Sequence, residues 1–157
     1  MTDAREYPAR PVVGVGVVVF RDEDVLLIRR GKPPNKGSLS LPGGGQDLGE
    51  TLRQTAAREV MEETGLTVEI THLVDTVDII RGDTAGRTKY HYTLIDFAAE
   101  WQSGEPVAGD DAAEAFWVPI AEIGGLALWS ETERVIKKAA ALRALPLGQP
   151  HMDSHSQ

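Results

Sequence analysis

The first clear pattern along the chain is a run of valines. Val12–Phe20 (VVGVGVVVF) reads as a β-strand, and after the turn Arg21-Asp22-Glu23-Asp24 the segment Val25–Arg30 reads as its hairpin partner. Gly14 and Gly16 form a G-x-G, but the third glycine of a dinucleotide loop is missing and the strand continues past them, so they belong to the strand. Leu39-Ser40-Leu41 is a short strand that runs into Pro42. From Thr51 the period changes. Thr51 with Gln54 three residues later is a capping box, and Ala57, Val60, Met61 and Thr64 recur at helical spacing, predicting an apolar stripe. Gly65 is the expected left-handed stop, and Arg58, Glu59, Glu62 and Glu63 fall on the opposite, polar face.

Thr67–Ile80 reads as a strand with an early irregularity, the stretch from Gly82 to Gly86 as a turn, and Thr88–Phe97 as the returning strand of a long hairpin. A surface loop over Ser103–Ala108 precedes a strand centred on Phe116 and Trp117, and Pro119–Ile123 reads as a helical turn. Ser130-x-x-Glu133 has the form of a second capping box, opening a helix whose apolar face is Val135, Ile136, Ala139 and Leu142. There is no internal repeat and no linker. The pattern gives a flexible lead over residues 1–11, one domain over 12–145 and a tail over 146–157, expected to be disordered with His151 and His155 in solvent.

Composition narrows the function classes. A chain of 157 residues suits one domain that buries about 68–70% of its unfolded surface. The net charge of −8 argues against coating nucleic-acid polymers or anionic membranes. The absence of cysteine excludes disulfides, thiolate nucleophiles and Cys-based zinc sites. Residues 1–11 lack the apolar core of a signal peptide, and no apolar run is long enough to span a bilayer, so the expected location is cytoplasmic.

The polar face of the first helix is poorly arranged for stability. Glu59 and Glu63 are like charges one turn apart, costing roughly 0.2–0.5 kcal/mol in an isolated helix. Glu62 and Glu63 also stand in the last turn, where the helix dipole disfavours anions by about 0.3–1 kcal/mol each. A solvated acidic face is the plain reading of such a cluster. A hard divalent cation held by carboxylate oxygens would reverse the sign of these costs.

The surroundings favour the cation. Gly44, five residues, Glu50, seven residues, Arg58-Glu59-Val60, one residue, Glu62-Glu63, one residue, Gly65-Leu66 resembles the Nudix box at every defined position, with a chance agreement of roughly 10⁻⁸ per window. Leu41-Pro42-Gly43-Gly44 is similar to the usual approach to that box, while Asp47 stands where many members carry Glu. The box covers 23 residues, Gly44 to Leu66, and the strand order around it fits the family over roughly residues 10–145.

The resemblance implies an α/β (α+β) fold, an α/β/α sandwich around a central mixed β-sheet. It also implies hydrolysis of a phosphoanhydride in a nucleoside diphosphate linked to a further group X. Glu59, Glu62, Glu63 and the Gly43 carbonyl would hold Mg²⁺, with Mn²⁺ as a substitute, and Arg58 would orient the glutamates through Glu50. Members often carry an extra acid before the aromatic-bearing strand, for which Asp111 and Glu114 are the candidates, with Asp110 behind them. Arg29 or Arg30, preceding the basic loop with Lys32 and Lys36, is placed to meet phosphate, and Gly44, Tyr90 and Tyr92 are further candidate substrate contacts. His91, on the opposite face from the tyrosines, is a weaker candidate for a general base. The expected partner is a small nucleotide, with the protein a monomer or homodimer.

The short form looks closer to nucleoside triphosphate pyrophosphatases acting on damaged nucleotides. ADP-ribose-type substrates stay open, although the proline that often follows the box in ADP-ribose hydrolases is absent between Gly65 and Glu105. The competing class is a non-catalytic nucleotide-binding module, and against it stands the retention of every box acid.

Overall fold

A computed structural model describes residues 5–33 and 35–145. The expected tail over 146–157 lies outside the described residues. In chain order the elements are β1 (Val12–Arg21), β2 (Asp24–Arg30), β3 (Leu39–Ser40), β4 (Gly43–Gly45), α1 (Leu52–Thr64), β5 (Thr67–Gly82), β6 (Thr88–Ser103), β7 (Ala112–Pro119), a 3₁₀ turn (Ile120–Gly125) and α2 (Ser130–Arg143).

The strands form one mixed sheet ordered β3-β2-β1-β6-β5, with β4 paired to β1 and β7 to β2. β1 runs parallel to β6 from Val12↔Tyr92 to Phe20↔Glu100 and antiparallel to β4 from Gly14↔Gly45 to Gly16↔Gly43. The valine run is explained by this central position. Alternate side chains of β1 feed opposite faces, so Val15, Val17 and Val19 meet Ala56 and Val60 of α1, while Val18 and Phe20 meet Val135, Ile136 and Ala139 of α2. The layers are helix, sheet and helix, as the resemblance implies.

Both returning strands outrun their predicted ends. β5 continues to Gly82 and β6 to Ser103, because Ala98, Ala99 and Trp101 keep pairing with β5 across a series of register shifts. The glycine cluster Gly43–Gly45 is itself a strand, made possible by its pairing with β1. In the expected lead, the Tyr7 hydroxyl donates to Asp83 and the Tyr7 amide to the Lys89 carbonyl, which lays this segment along the β5–β6 hairpin.

Two helix expectations are corrected. The buried face of α1 is Thr55, Ala56, Val60, Glu63 and Thr64, whereas Ala57 is exposed and Met61 is 47% exposed. The helix is rotated from the predicted stripe so that Glu63 turns inward, onto the Gly43 amide. The second capping box does not form. Trp129 occupies the N-cap without a side-chain bond, Ser130 is already helical, and Glu133 pairs with Lys137 at 2.8 Å. At α1, by contrast, Thr51 accepts from the Gln54 amide at 3.1 Å and Gln54 accepts from the Thr51 amide at 2.9 Å, and Gly65 closes the helix at φ 75°.

These two N-termini give a paired prediction. Thr51→Ala should lower unfolding stability by about 1 kcal/mol, and Ser130→Ala should change it by less than about 0.5 kcal/mol. Urea unfolding of the two variants beside the parent checks the contrast, and equal losses would contradict it.

Candidate active site

The site grows from the seam between α1 and β4. Gly44 faces the helix so closely that a Cβ there would overlap the Glu59 carboxylate. One residue earlier, the Gly43 amide donates to Glu63 Oε1 at 2.9 Å. The glycines therefore let the helix lie against bare backbone, with two of its glutamates in the contact.

Burial sets the electrostatics. Glu63 is 5% exposed, and burial first pushes its pKa up to about 7. The Gly43 hydrogen bond and the Arg30 charge oppose that rise, whereas the Glu59 and Asp111 charges add to it. Glu59 is pushed up to about 6, again by burial first; the neighbouring Arg58 opposes this and Glu62 and Asp110 contribute to it. Both acids are held where charge is disfavoured and an added cation would be welcome.

Arg58 is the hub of the polar side. Its Nε and Nη2 donate to the two oxygens of Glu50 at 2.6 and 2.9 Å, and its Nη1 donates to Glu59 at 3.1 Å and Glu62 at 2.9 Å. Nη2 also reaches the Gly45 carbonyl at 3.0 Å. Glu50 accepts further bonds from Thr55 and the Asp47 amide, and the Arg58 contact leads in holding its pKa down to about 2. A charge-assisted bidentate pair of this kind fixes orientation as well as contributing energy. Arg58 is thus committed to the loop, the strand and two helix acids.

The loop between β6 and β7 docks onto the C-terminal end of α1. The Val107 amide donates to the Thr64 carbonyl at 2.9 Å and the Gly109 amide to the Glu63 carbonyl at 3.0 Å, satisfying helix carbonyls that would otherwise lack partners. A Cβ on Gly109 would lie 2.6 Å from the Glu62 carbonyl oxygen. Asp110 follows with φ 49°, and its charge acts on Glu59, while that of Asp111 acts on Glu63. Asp111 also pairs with Lys32 at 3.0 Å, and its carbonyl accepts from Gly31 at 2.8 Å.

The structure sorts the sequence candidates. It brings together Gly43, Gly44, Glu50, Arg58, Glu59, Glu62 and Glu63, and sets Arg30, Asp110 and Asp111 around them. Glu114 stands apart, bonded to Arg29 at 2.6 Å across β2 and β7, and Arg29 also donates to the Gly37 carbonyl. Of the two arginines, Arg30 is the one whose charge reaches Glu63. Tyr90 and Tyr92 stack with ring centroids 6.4 Å apart, and the Tyr90 hydroxyl donates to Glu6 at 2.9 Å. The docking role of Gly109 has no signal in the sequence beyond a glycine beside two aspartates.

The donor set, all carboxylate and carbonyl oxygen, suits a hard divalent cation. Among the described residues no three acidic or histidine side chains converge as a ready metal cluster, because Arg58 occupies Glu59 and Glu62 and the Gly43 amide occupies Glu63. The fit is one of donor chemistry and burial.

Comparison with known proteins identifies the family. The NUDIX domain profile matches residues 10–140. The chain is 35% identical over 127 residues to an ADP-ribose pyrophosphatase of Methanocaldococcus jannaschii, covering 81% of this chain and 72% of that protein. It is 31% identical over 115 residues to an oxidized purine nucleoside triphosphate hydrolase of Danio rerio, covering 73% and 70% respectively. Among solved structures, a MutT NUDIX hydrolase from Burkholderia pseudomallei superposes with a TM-score of 0.70 at 29% identity, over 82% of this chain and 98% of that one. Glycine seam, arginine hub and inward glutamates all lie within residues 10–140, and the chain belongs to the Nudix hydrolase family.

Proposed function

We propose that this protein is a Mg²⁺-dependent pyrophosphohydrolase that cleaves the phosphoanhydride of a nucleoside diphosphate linked to X, with nucleoside triphosphates as the favoured substrates and ADP-ribose-type compounds as the alternative. The observation that carries the reading is Glu63, a helix carboxyl packed inward on the Gly43 amide beside an equally constrained Glu59. Support for the substrate class comes from two relatives, one named for ADP-ribose and one for oxidized purine nucleoside triphosphates.

A phosphoanhydride resists water because its anionic oxygens repel a nucleophile, so hydrolysis requires charge neutralisation and an activated water. Glu59, Glu62 and Glu63, with the Gly43 carbonyl, would hold the cation, which supplies neutralising charge and acidifies water. Arg58 keeps Glu59 and Glu62 oriented through its anchorage on Glu50 and the Gly45 carbonyl. Gly44 keeps the strand edge open to phosphate, and Arg30 adds positive charge on the Glu63 side. Asp111 and Asp110, carried by the docked loop, would serve as proton acceptors, their charges acting on Glu63 and Glu59, and Glu114 orients Arg29. Tyr90 and Tyr92 offer a stacked aromatic surface to the rest of the substrate. The protein forms no covalent bond to phosphorus in this scheme.

Glu59→Gln and Glu63→Gln should each lower kcat by roughly 10²–10⁴-fold with the far-UV circular dichroism unchanged. A panel of nucleoside triphosphates, ADP-ribose, NADH, nucleotide sugars and dinucleoside polyphosphates, assayed for phosphate products with Mg²⁺, supplies the substrate. Binding without turnover across the panel would point to a non-catalytic module instead.

Gly44→Ala should cut kcat by at least about tenfold, since the new methyl group displaces the Glu59 carboxylate from the seam. Wild-type kcat in that variant would contradict the close approach assigned to the seam.

The raised acids make stability depend on pH in a metal-sensitive way. The unfolded value is 4.5 and the folded values are about 6 and 7, so the folded chain holds protons that the unfolded chain has released. Their contribution is fully present below the unfolded value and is lost as pH rises through both folded values. With chelator, Tm should therefore fall between about pH 5.5 and pH 8. Mg²⁺ binding should be tighter at the higher pH and accompanied by proton release, measurable by calorimetry in two buffers of different ionisation enthalpy. A Mg²⁺ affinity indifferent to pH would contradict the assignment.

A further inference from the structure

The lead, expected to be flexible, is fastened to the sheet by residues that belong to neither hydrophobic cluster. Tyr7 sits at φ 52°, a left-handed backbone that a bulky side chain disfavours and keeps only where its neighbours hold it. The hold comes from the β5–β6 hairpin. The Tyr7 amide donates to the Lys89 carbonyl at 2.8 Å and its hydroxyl to Asp83 Oδ2 at 2.8 Å, while its ring centroid lies 4.5 Å from the Arg87 guanidinium carbon. Asp83 is a firm anchor, since its Oδ1 also accepts from the Ala85 and Arg87 amides at 2.9 Å each. The lead is thereby pinned to the turn that joins β5 to β6.

That seat places Glu6 on the aromatic pair. The Glu6 side chain is 21% exposed, and its Oε2 accepts from the Tyr90 hydroxyl at 2.9 Å and lies 3.6 Å from Lys89 Nζ. Lys89 Nζ in turn stands 5.8 Å from the Tyr90 ring centroid. Tyr90 and Tyr92 stack on the α2 side of the sheet, the side of Leu94 and Ala98. Tyr92 pairs with Val12, four residues before Gly16, and Gly16 pairs with Gly43. Rings and glycine strand are therefore roughly 13 Å apart along the strands and 10 Å across them, a span that an extended nucleoside polyphosphate covers.

A phenol bonded to a carboxylate is held more firmly than one bonded to a neutral acceptor. Rings already held in place cost an incoming nucleoside less ordering than free ones, and this preorganisation acts on binding, not on the chemical step. An exposed fastening adds little to stability, so its effect is to be read in binding.

We propose that Glu6 and Tyr7 form a strap, in which Tyr7 seats the lead on the hairpin and Glu6 is a positioning residue that fixes the Tyr90–Tyr92 rings for the nucleoside end of the substrate. The proposal rests on the reading above, in which that ring pair meets the substrate, and adds the residues that hold it.

The test measures KM and kcat for adenosine triphosphate and ADP-ribose, which share a nucleoside and differ beyond the diphosphate. Glu6→Ala removes the acceptor and should raise KM about three- to tenfold for both, with kcat within about twofold of the parent. Glu6→Gln keeps an acceptor oxygen and should bring KM back to within about twofold of the parent. Tyr7→Ala, which loosens the strap from the hairpin, should reproduce the Glu6→Ala change. In a Tyr90→Phe background Glu6→Ala should add nothing, because the bond it removes is already gone. Competitive inhibition by inorganic tripolyphosphate, which has no nucleoside, should be equal in parent and Glu6→Ala. Parent-like KM in Glu6→Ala, a loss confined to kcat, an effect that persists in the Tyr90→Phe background, or an equal weakening of tripolyphosphate overturns the strap and leaves the hydrolase reading standing. Should no nucleotide be turned over, the hydrolase reading falls, and calorimetric Kd values for adenosine triphosphate take the place of KM. Equal Kd values in parent and Glu6→Ala then overturn the strap as well.

Discussion

The Gly43 amide to Glu63 hydrogen bond, 2.9 Å long, is the constraint on which the site depends. A 13-residue helix whose apolar residues are few could pack on the sheet in several rotations. Ala56 and Val60 supply the hydrophobic contact, but small side chains discriminate weakly between neighbouring rotations. A buried carboxyl does so sharply, because leaving it without a partner costs far more than shifting a methyl group. Glu63 therefore selects the rotation in which it reaches β4. Once that is set, Glu59 must lie over Gly44, and Arg58 must point along the seam toward Glu50.

The glycines are the other half of this arrangement. A Cβ at Gly43 would run into the Val15 carbonyl and one at Gly44 into Glu59, so helix and strand approach closely only where side chains are missing from the strand. Such bare backbone suits a substrate whose reacting group is a compact tetrahedral anion. It also explains why a strand as short as Gly43–Gly45 persists: pairing with β1 and contact with α1 hold it from both sides. Gly109 repeats the device at the far end of the helix, letting the loop that carries Asp110 and Asp111 sit on the last helix carbonyls. Both the glycine strand and the aspartate-bearing loop are thereby positioned by the same helix.

Much of this was legible in the residues. The valine run, the hairpin turns, the capping box at Thr51 and the stop at Gly65 are local signals whose causes lie within a few residues, and each appears where the pattern puts it. The spacing of the box made Gly43, Gly44, Glu50, Arg58 and the three glutamates legible as a group. What the sequence misplaced depended on partners distant along the chain. Helical periodicity put Ala57 and Met61 inward because it weighs apolarity alone, and it cannot register that Gly43 offers Glu63 an amide. The Ser130 capping box failed for a related reason, since the chain enters α2 one residue earlier, at Trp129, whose ring sits beside Arg81.

The arrangement carries a cost that helps interpret it. Like-charged glutamates one turn apart, a helix terminus that disfavours anions and partial desolvation all act against α1. Arg58 offsets part of this, and its own pKa is raised by the same neighbours, with the Glu50 hydrogen bond foremost. Yet among the described residues the hydrogen bond to the Glu63 carboxyl comes from the Gly43 amide and not from Arg58. Glu63 thus remains an acid in excess of the positive charge around it, although Arg30 contributes from a distance. A fold maintained for stability alone would be better served by an apolar residue there, since replacing buried polar groups by apolar ones of similar shape is often neutral or favourable. A carboxyl kept inside, its pKa raised toward neutrality and facing a strand of three consecutive glycines, is better explained by the role proposed for it toward a cation and a phosphate than by what it does for the fold.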